Sequence, residues 1–323
     1  MWRPDPNELS FLEALQLLDQ LRALAPDVVV LTGGDPLKRP DLLPIVREGR
    51  ARGLRLALAP SVTPLLTDTA IAELVEAGIS RLALSIDGPD PGVHDAFRGV
   101  GGSFERTLKA ASAVQSSGAS LQINTSVTRD TVARLDETAV LVGSLRPSLW
   151  SVFFVVPTGR AGLAQEVDAW SAERAFHLLY EWSAATGVPV KTTAAPAYRR
   201  VFLQREAATV RTGGTRRTGP GGVNEGRGFV FVSHTGEVYP SGFLPLRAGN
   251  VRETALATIY REHPLFRSLR DPSRLGGKCG RCQFRTVCGG SRGRAYAHTG
   301  DPLGEDPACA YEPPLARSGT AVS

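Results

Sequence analysis

Five short apolar runs recur along the first half of this chain, VVVLT (28–32), LRLALA (54–59), RLALSI (81–86), LQINTSV (121–127) and SVFFVV (151–156). Amphipathic helical patterns fill the intervals near 40–52, 68–78, 103–118 and 132–145, and a further one runs from about 170 to 186. Strands that are apolar on both faces need cover on both, and a strand followed by a helix returns parallel to itself. The expected fold is therefore α/β, with strands at 27–31, 55–59, 81–86, 120–126 and 151–156 in a parallel sheet. One more helix precedes the first strand, opened by a capping box of Ser10 and Glu13, with Leu12, Leu15, Leu17, Leu18 and Leu21 as its apolar positions. The series thus opens on a helix and leaves the strand at 28–30 as an apolar edge, so the reading is a partial (β/α)6 TIM-like barrel missing its first strand.

The pattern stops near residue 205. Residues 205–227, centred on GGTRRTGPGG, lack apolar periodicity. Beyond them, runs at 228–233 and 237–239 flank His234-Thr235-Gly236 as a hairpin, and short helices are expected at 255–262 and 265–270. The expected organisation is a barrel over 1–198, a flexible Arg/Gly-rich loop over 199–227, a small α+β cysteine-rich unit over 228–312 and a disordered tail over 313–323.

All four cysteines fall in that last unit, as Cys279-x2-Cys282-x5-Cys288-x20-Cys309, with none in the first 278 residues. The chain opens without a signal peptide and is long enough to bury a large core, which argues against a secreted disulfide scaffold. Two thiols in an x2 knuckle with two more close by supply the geometry of a tetrathiolate metal site. Zinc and an iron–sulfur cluster both fit, and the spacing does not choose between them. The net charge of +5 comes from scattered arginine, since lysine occurs only at 38, 109, 191 and 278, and gives no nucleic-acid footprint. Arg199, Arg200, Arg205, Arg211, Arg216, Arg217 and Arg227 do gather around the Gly-rich stretch, either for an anionic ligand or as a solvated loop. No apolar run approaches the 18 or so residues of a membrane span.

Parallel α/β folds bind ligands at the carboxyl ends of their strands. Those ends read Thr32-Gly33-Gly34-Asp35-Pro36, Pro60-Ser61-Val62-Thr63, Ser85-Ile86-Asp87-Gly88, Asn124-Thr125-Ser126 and Pro157-Thr158-Gly159-Arg160. Gly33 and Gly34 permit a tight turn, Asp35 adds a carboxylate and Pro36 rigidity; the set suits a ligand ammonium, or forms a plain strand-to-helix turn. Ser85, Asp87 and Asn124 alternate with buried neighbours and either reach ligand hydroxyls or close local turns. The five histidines lack ligand spacing and read as surface or loop residues.

GGDP after the first strand, SIDG after the third, PTGRA after the fifth and the cysteine-rich C-terminus together resemble the radical S-adenosylmethionine (SAM) superfamily, in its branch with a SPASM or twitch extension. The resemblance implies that Gly33, Gly34, Asp35 and Pro36 bind the SAM amino group, with Asp in place of the usual Glu, and that Ser85, Asp87 and Asn124 contact SAM. It implies an auxiliary [4Fe-4S] cluster on Cys279, Cys282, Cys288 and Cys309. Ser241 and Ser291-Arg292 stand where a second auxiliary cluster would have cysteines, so one such cluster is expected. The Cys-x3-Cys-x2-Cys loop of the family's catalytic [4Fe-4S] cluster is absent; RPDPNELS resembles the family's segment immediately C-terminal to that loop. With the missing segment restored, the implied chemistry is reductive cleavage of SAM and hydrogen abstraction from a small-molecule or peptide substrate, tetrapyrrole or peptide-derived. The implied partner is a reductant such as ferredoxin or flavodoxin, and the compartment the cytoplasm. The rival expectation is a non-catalytic scaffold whose thiols hold structural zinc or a cluster.

Overall fold

The structure is a computed structural model, and it describes residues 5–159, 162–212, 215, 217–219 and 221–314. Most of the tail expected at 313–323, and Arg160 of the fifth strand end, lie outside the described residues. The first unit runs α1 (Phe11–Leu24), β1 (Val29–Leu31), α2 (Leu42–Ala51), β2 (Leu56–Leu58), α3 (Asp68–Ala77), β3 (Ile79–Ser85), α4 (Pro91–Arg98), α5 (Ser103–Ser116), β4 (Ser120–Val127), α6 (Leu135–Ser144), β5 (Leu149–Phe154), α7 (Ala169–Thr186), β6 (Val190–Thr193) and α8 (Ala197–Arg211). Its six strands lie in chain order and pair in parallel, forming a curled half-barrel with β1 and β6 at the edges.

Side-chain alternation divides the sheet into two faces. Leu56, Leu58, Leu82, Leu84, Leu121, Ile123, Trp150 and Val152 point outward and pack under the helices, against residues such as Val46, Leu74, Val114, Val142 and Leu179. The alternate positions line the concave side. Pairing register there sets Ser85 beside Asn124, Asn124 beside Ser151 and Ser151 beside Lys191, in one polar row across four strands.

The second unit holds an antiparallel sheet of β7 (Phe231–Val232), β8 (Glu237–Tyr239) and β9 (Gly249–Asn250), then α9 (Leu256–Glu262), α10 (Pro264–Arg270), α11 (Gly277–Arg281) and α12 (Arg292–Thr299). The N-terminal helix joins the two units. Its capping box forms, Ser10 N–H donating to Glu13 Oε2 at 2.8 Å and Glu13 N–H to Ser10 Oγ at 3.3 Å. Leu15 and Leu18 face the barrel core, while Leu17, Leu21 and Leu24 pack on a second core of Leu9, Val238, Leu256, Ile259 and Phe266. Leu12, expected on the apolar face, is 70% exposed. Arg252 adds an ionic tie to Glu13, at 2.5 Å.

Two elements differ from the sequence expectation. Strand β6 gave too short a signal, four residues with Lys191 and Thr193 facing inward. Helix α8 occupies 197–211, within what the sequence suggested was a flexible loop from 199. Its arginines hid it. Arg199 and Arg200 are buried, Arg200 against Glu173 and Arg199 by donating to the Val287 carbonyl at 2.9 Å. Arg205 pairs with Glu181 at 2.7 Å and Arg217 with Glu206 at 2.9 Å, so these cations are committed within the molecule. Among the described residues no helix is long and apolar enough to cross a membrane.

Candidate functional site

The glycine pair after β1 adopts left-handed backbone, Gly33 at φ +94° and Gly34 at φ +40°. A Cβ built on either would meet nothing within 4 Å, so glycine is needed for the turn rather than for room. The turn is fastened to the next strand end. Ser61 Oγ donates to the Gly34 carbonyl at 3.0 Å, and Thr63 Oγ1 donates to Asp35 Oδ2 at 2.8 Å. Asp35 Oδ1 also caps the one-turn 3₁₀ helix Pro36–Lys38 by accepting from Leu37 N–H at 3.3 Å. Two of the strand ends singled out in the sequence thus form one polar rim, with Asp35 held by it.

Ser85 and Asn124 are register partners on the concave face, both half-buried, with Gln122 Nε2 donating to Asn124 Oδ1 at 2.7 Å. Asp87 sits differently. Its carboxylate is buried, accepting from Ser126 N–H at 2.6 Å and from Arg98 Nε at 2.6 Å, and its own N–H donates to His94 Nδ1 at 3.1 Å. In this structure Asp87 fastens the ends of β3 and β4 together and sets how Ser126 is presented. His94, expected at the surface, is 1% exposed, and burial holds its imidazole below the ordinary value.

The four cysteines line one pocket with Arg200, Lys278, Phe284, Gly289, Gly290 and Tyr311. All four are free thiols, so the disulfide alternative does not form. Every sulfur faces a backbone N–H. Phe284 N–H donates to Cys282, Gly290 N–H to Cys288 and Asp306 N–H to Cys279, each at 3.4 Å, and Tyr311 N–H faces Cys309. Such donors stabilise thiolate charge, which is the form a metal binds. Burial opposes them, pushing Cys279 and Cys309 up and Cys288 up to about 12. Burial thus favours the protonated form of these three thiols until a cation displaces the protons. Among the described residues no three Cys, His, Asp or Glu side chains close around a point as a single ion requires.

The positions where a second set of cysteines was sought are packed solid. Ser241 and Ser291 are buried, Ser291 Oγ donating to Glu225 Oε1 at 3.1 Å. Arg292 is 1% exposed, its guanidinium donating to the carbonyls of Gly290 (3.1 Å), Pro302 (3.0 Å) and Gly304 (2.7 Å). Asp306 accepts from Ser291 N–H at 2.8 Å and pairs with Arg294 at 3.4 Å. Arg294 in turn donates to the Ala194 carbonyl beyond β6 (2.9 Å) and the Val155 carbonyl beyond β5 (3.2 Å), and it pairs with Glu166, which also meets His298 Nε2 at 2.6 Å. One chain of contacts therefore runs from the carboxyl ends of the half-barrel to the cysteine pocket. None of these buried arginines was singled out as functional in the sequence, where an arginine bound for the interior looks like any other.

Comparisons with known proteins give the family and the fold. A sequence profile of the radical SAM superfamily matches residues 1–141. The chain is 40% identical over 312 residues to an AdoMet-dependent heme synthase of Methanosarcina barkeri, spanning 95% of this chain and 89% of that protein. It is 29% identical over 327 residues to the mycofactocin maturase MftC of Mycobacterium tuberculosis, spanning 97% and 79%. The fold superposes on native anSMEcpe with bound AdoMet at a TM-score of 0.66 and 16% identity, over 93% of this chain and 85% of that one. With a 40% identical relative aligned along nearly its whole length and this half-barrel beneath the alignment, the chain belongs to the radical SAM superfamily.

Proposed function

We propose that this protein is a SAM-binding radical enzyme acting on a tetrapyrrole, with an auxiliary [4Fe-4S] cluster on Cys279, Cys282, Cys288 and Cys309. The observation that carries the reading is the 40% identity to an AdoMet-dependent heme synthase over 95% of the chain. Likeness to a peptide maturase is weaker, at 29%, so a peptide substrate ranks second.

On this reading the turn Gly33-Gly34-Asp35-Pro36 takes the SAM ammonium, with Ser61 and Thr63 holding the turn in shape. Ser85 and Asn124 offer neighbouring hydrogen-bonding groups on the concave face, and Asp87 positions Ser126 beside them. The four thiolates would hold the cluster, which when bound supplies one-electron transfer; with all four irons ligated, no site is left open for substrate. The residues fit such a group. Four sulfurs with four N–H donors surround one pocket, capped by Phe284 and Tyr311 in edge contact at 5.6 Å. Four thiolates also suit zinc, and membership of a family built on iron–sulfur chemistry is what favours the cluster. A ferredoxin or flavodoxin would serve as reductant, in an oxygen-poor compartment such as the cytoplasm.

The test is anaerobic expression followed by iron, sulfide and zinc analysis and SAM binding by equilibrium dialysis. Four irons and four sulfides per chain, with SAM retained, are expected. A colourless protein with one zinc and no affinity for SAM would falsify the reading and leave the scaffold alternative.

A further inference from the structure

Arg292 has a position that the proposed SAM and cluster sites do not explain. Its guanidinium is buried, its hydrogen bonds go to three carbonyls, and among the described residues no carboxylate pairs with it. Among the other cations lining the cysteine pocket, Arg200 pairs with Glu173 and Lys278 with Glu312 at 3.6 Å, while Arg285 is exposed to water and donates to the Gly280 carbonyl at 3.3 Å. Nearby Asp306 is held by Ser291 N–H and paired with Arg294. A buried charge without a counterion is strongly unfavourable, so a compensating negative charge is called for. Arg292 Nη2 lies 3.8 Å from Cys279 Sγ.

The backbone is shaped for that approach. Gly290 is at φ +66°, and a Cβ there would overlap Arg292 Nη2 and sit 2.9 Å from Cys279 Sγ. Any side chain at 290 would come between the guanidinium and the sulfur. The same helix start that carries Arg292 puts Ser291 N–H on Asp306, whose own N–H donates to Cys279 Sγ at 3.4 Å.

We propose that Arg292 is a positioning residue for the metal group on the four cysteines: its fixed positive charge balances the thiolates and, with its N–H donor at Cys279, makes that group easier to reduce by one electron. This rests on the cluster reading above. Each one-electron reduction adds a negative charge, which a nearby buried cation and a hydrogen bond to the ligating sulfur both stabilise, so the reduction potential rises. Arginine suits the position because its planar fork holds several carbonyls at once and remains charged at every working pH.

The experiment compares anaerobically reconstituted full chains carrying Arg292→Gln and Arg292→Lys with the unaltered chain. Iron and sulfide are counted, and the midpoint of the one-electron couple is read by EPR during dithionite titration. Gln removes the charge and Lys keeps the charge but loses the fork, so the midpoint should be most negative for Gln, with Lys between Gln and wild type. A Gln variant with full iron content and an unmoved midpoint overturns the inference. If the Gln variant does not fold, the Lys variant decides, a midpoint below wild type supporting the inference and a wild-type midpoint overturning it. A wild-type chain that takes up zinc and no iron sinks the cluster reading itself, which is a different result from an unmoved potential in an iron-loaded variant.

Discussion

The contact chain from half-barrel to cysteine pocket runs through Arg294, and Arg294→Met removes its charge and donors while keeping much of its volume. The guanidinium is 3% exposed and donates to the Val155 and Ala194 carbonyls, with Glu166 and Asp306 as its ionic partners. Arg294 Nε lies 2.5 Å from Glu166 Oε1 without hydrogen-bond alignment, so that contact counts as an ion pair only. Losing one partner of a buried ionic set costs about 3–5 kcal/mol, because the partners left behind stay desolvated. The lower end applies here. Glu166 keeps His298, and Asp306 keeps the N–H groups of Ser291 and Ala308. A loss of about 3 kcal/mol, with a urea slope on the order of 3 kcal/mol per molar, moves the unfolding midpoint down by about 1 M. The assay is anaerobic urea unfolding of the metal-free chain followed by tryptophan fluorescence, with buried Trp150, 4.7 Å from Trp182, reporting on the barrel. Adding Glu166→Gln should recover part of the loss by removing one stranded charge. A single variant whose midpoint stays within about 0.2 M of wild type would refute the argument that this ionic set joins the units.

Four further outcomes are expected from the same structure. Because burial raises the Cys288 thiol to about 12 in the folded metal-free chain, it should be alkylated far more slowly at pH 8 than the same thiol in urea, read by mass spectrometry; equal rates would contradict the burial argument. The sign for stability is set by the same shift: the folded chain favours the protonated thiol, so stability is intact below the ordinary value near 9 and falls as pH climbs from there toward about 12. Asp87→Ala strands Ser126 N–H and releases Arg98, which is 36% exposed and returns partly to water; a loss of about 2 kcal/mol in unfolding free energy is expected, and a change below roughly 0.5 kcal/mol would show that the fastening is idle. Gly33→Ala forces a Cβ onto φ +94° at a cost of about 1–2 kcal/mol and should weaken SAM binding several-fold by equilibrium dialysis, unaltered affinity arguing against this turn as the ammonium site.

Much of the fold was legible because its signals are local. A capping box at Ser10 and Glu13, apolar strands at two-residue period and helices between them are written in neighbouring residues, and β1 to β5 formed where that pattern put them. Strand β6 was too short and too polar to register, and α8 was hidden by arginines that find acids and carbonyls far along the chain. Part of the candidate site was legible in the same way. Ser85 and Asn124 came together because register is set by alternation, whereas the buried Asp87 carboxylate found partners in Ser126 N–H and Arg98 that no local pattern shows.

By itself, then, the sequence determined an α/β half-barrel, a polar strand-end rim at Gly33–Pro36 and four thiols gathered near the C-terminus, because periodicity and spacing act over a few residues. The tertiary structure decided what those groups face. It put an N–H donor on every sulfur, filled the space beside Cys279 with the Arg292 guanidinium, which has no carboxylate partner among the described residues, and ran Arg294 from the ends of β5 and β6 to Asp306. A buried charge is tolerable only where partners distant in sequence converge on it, and that convergence exists only once the chain has folded.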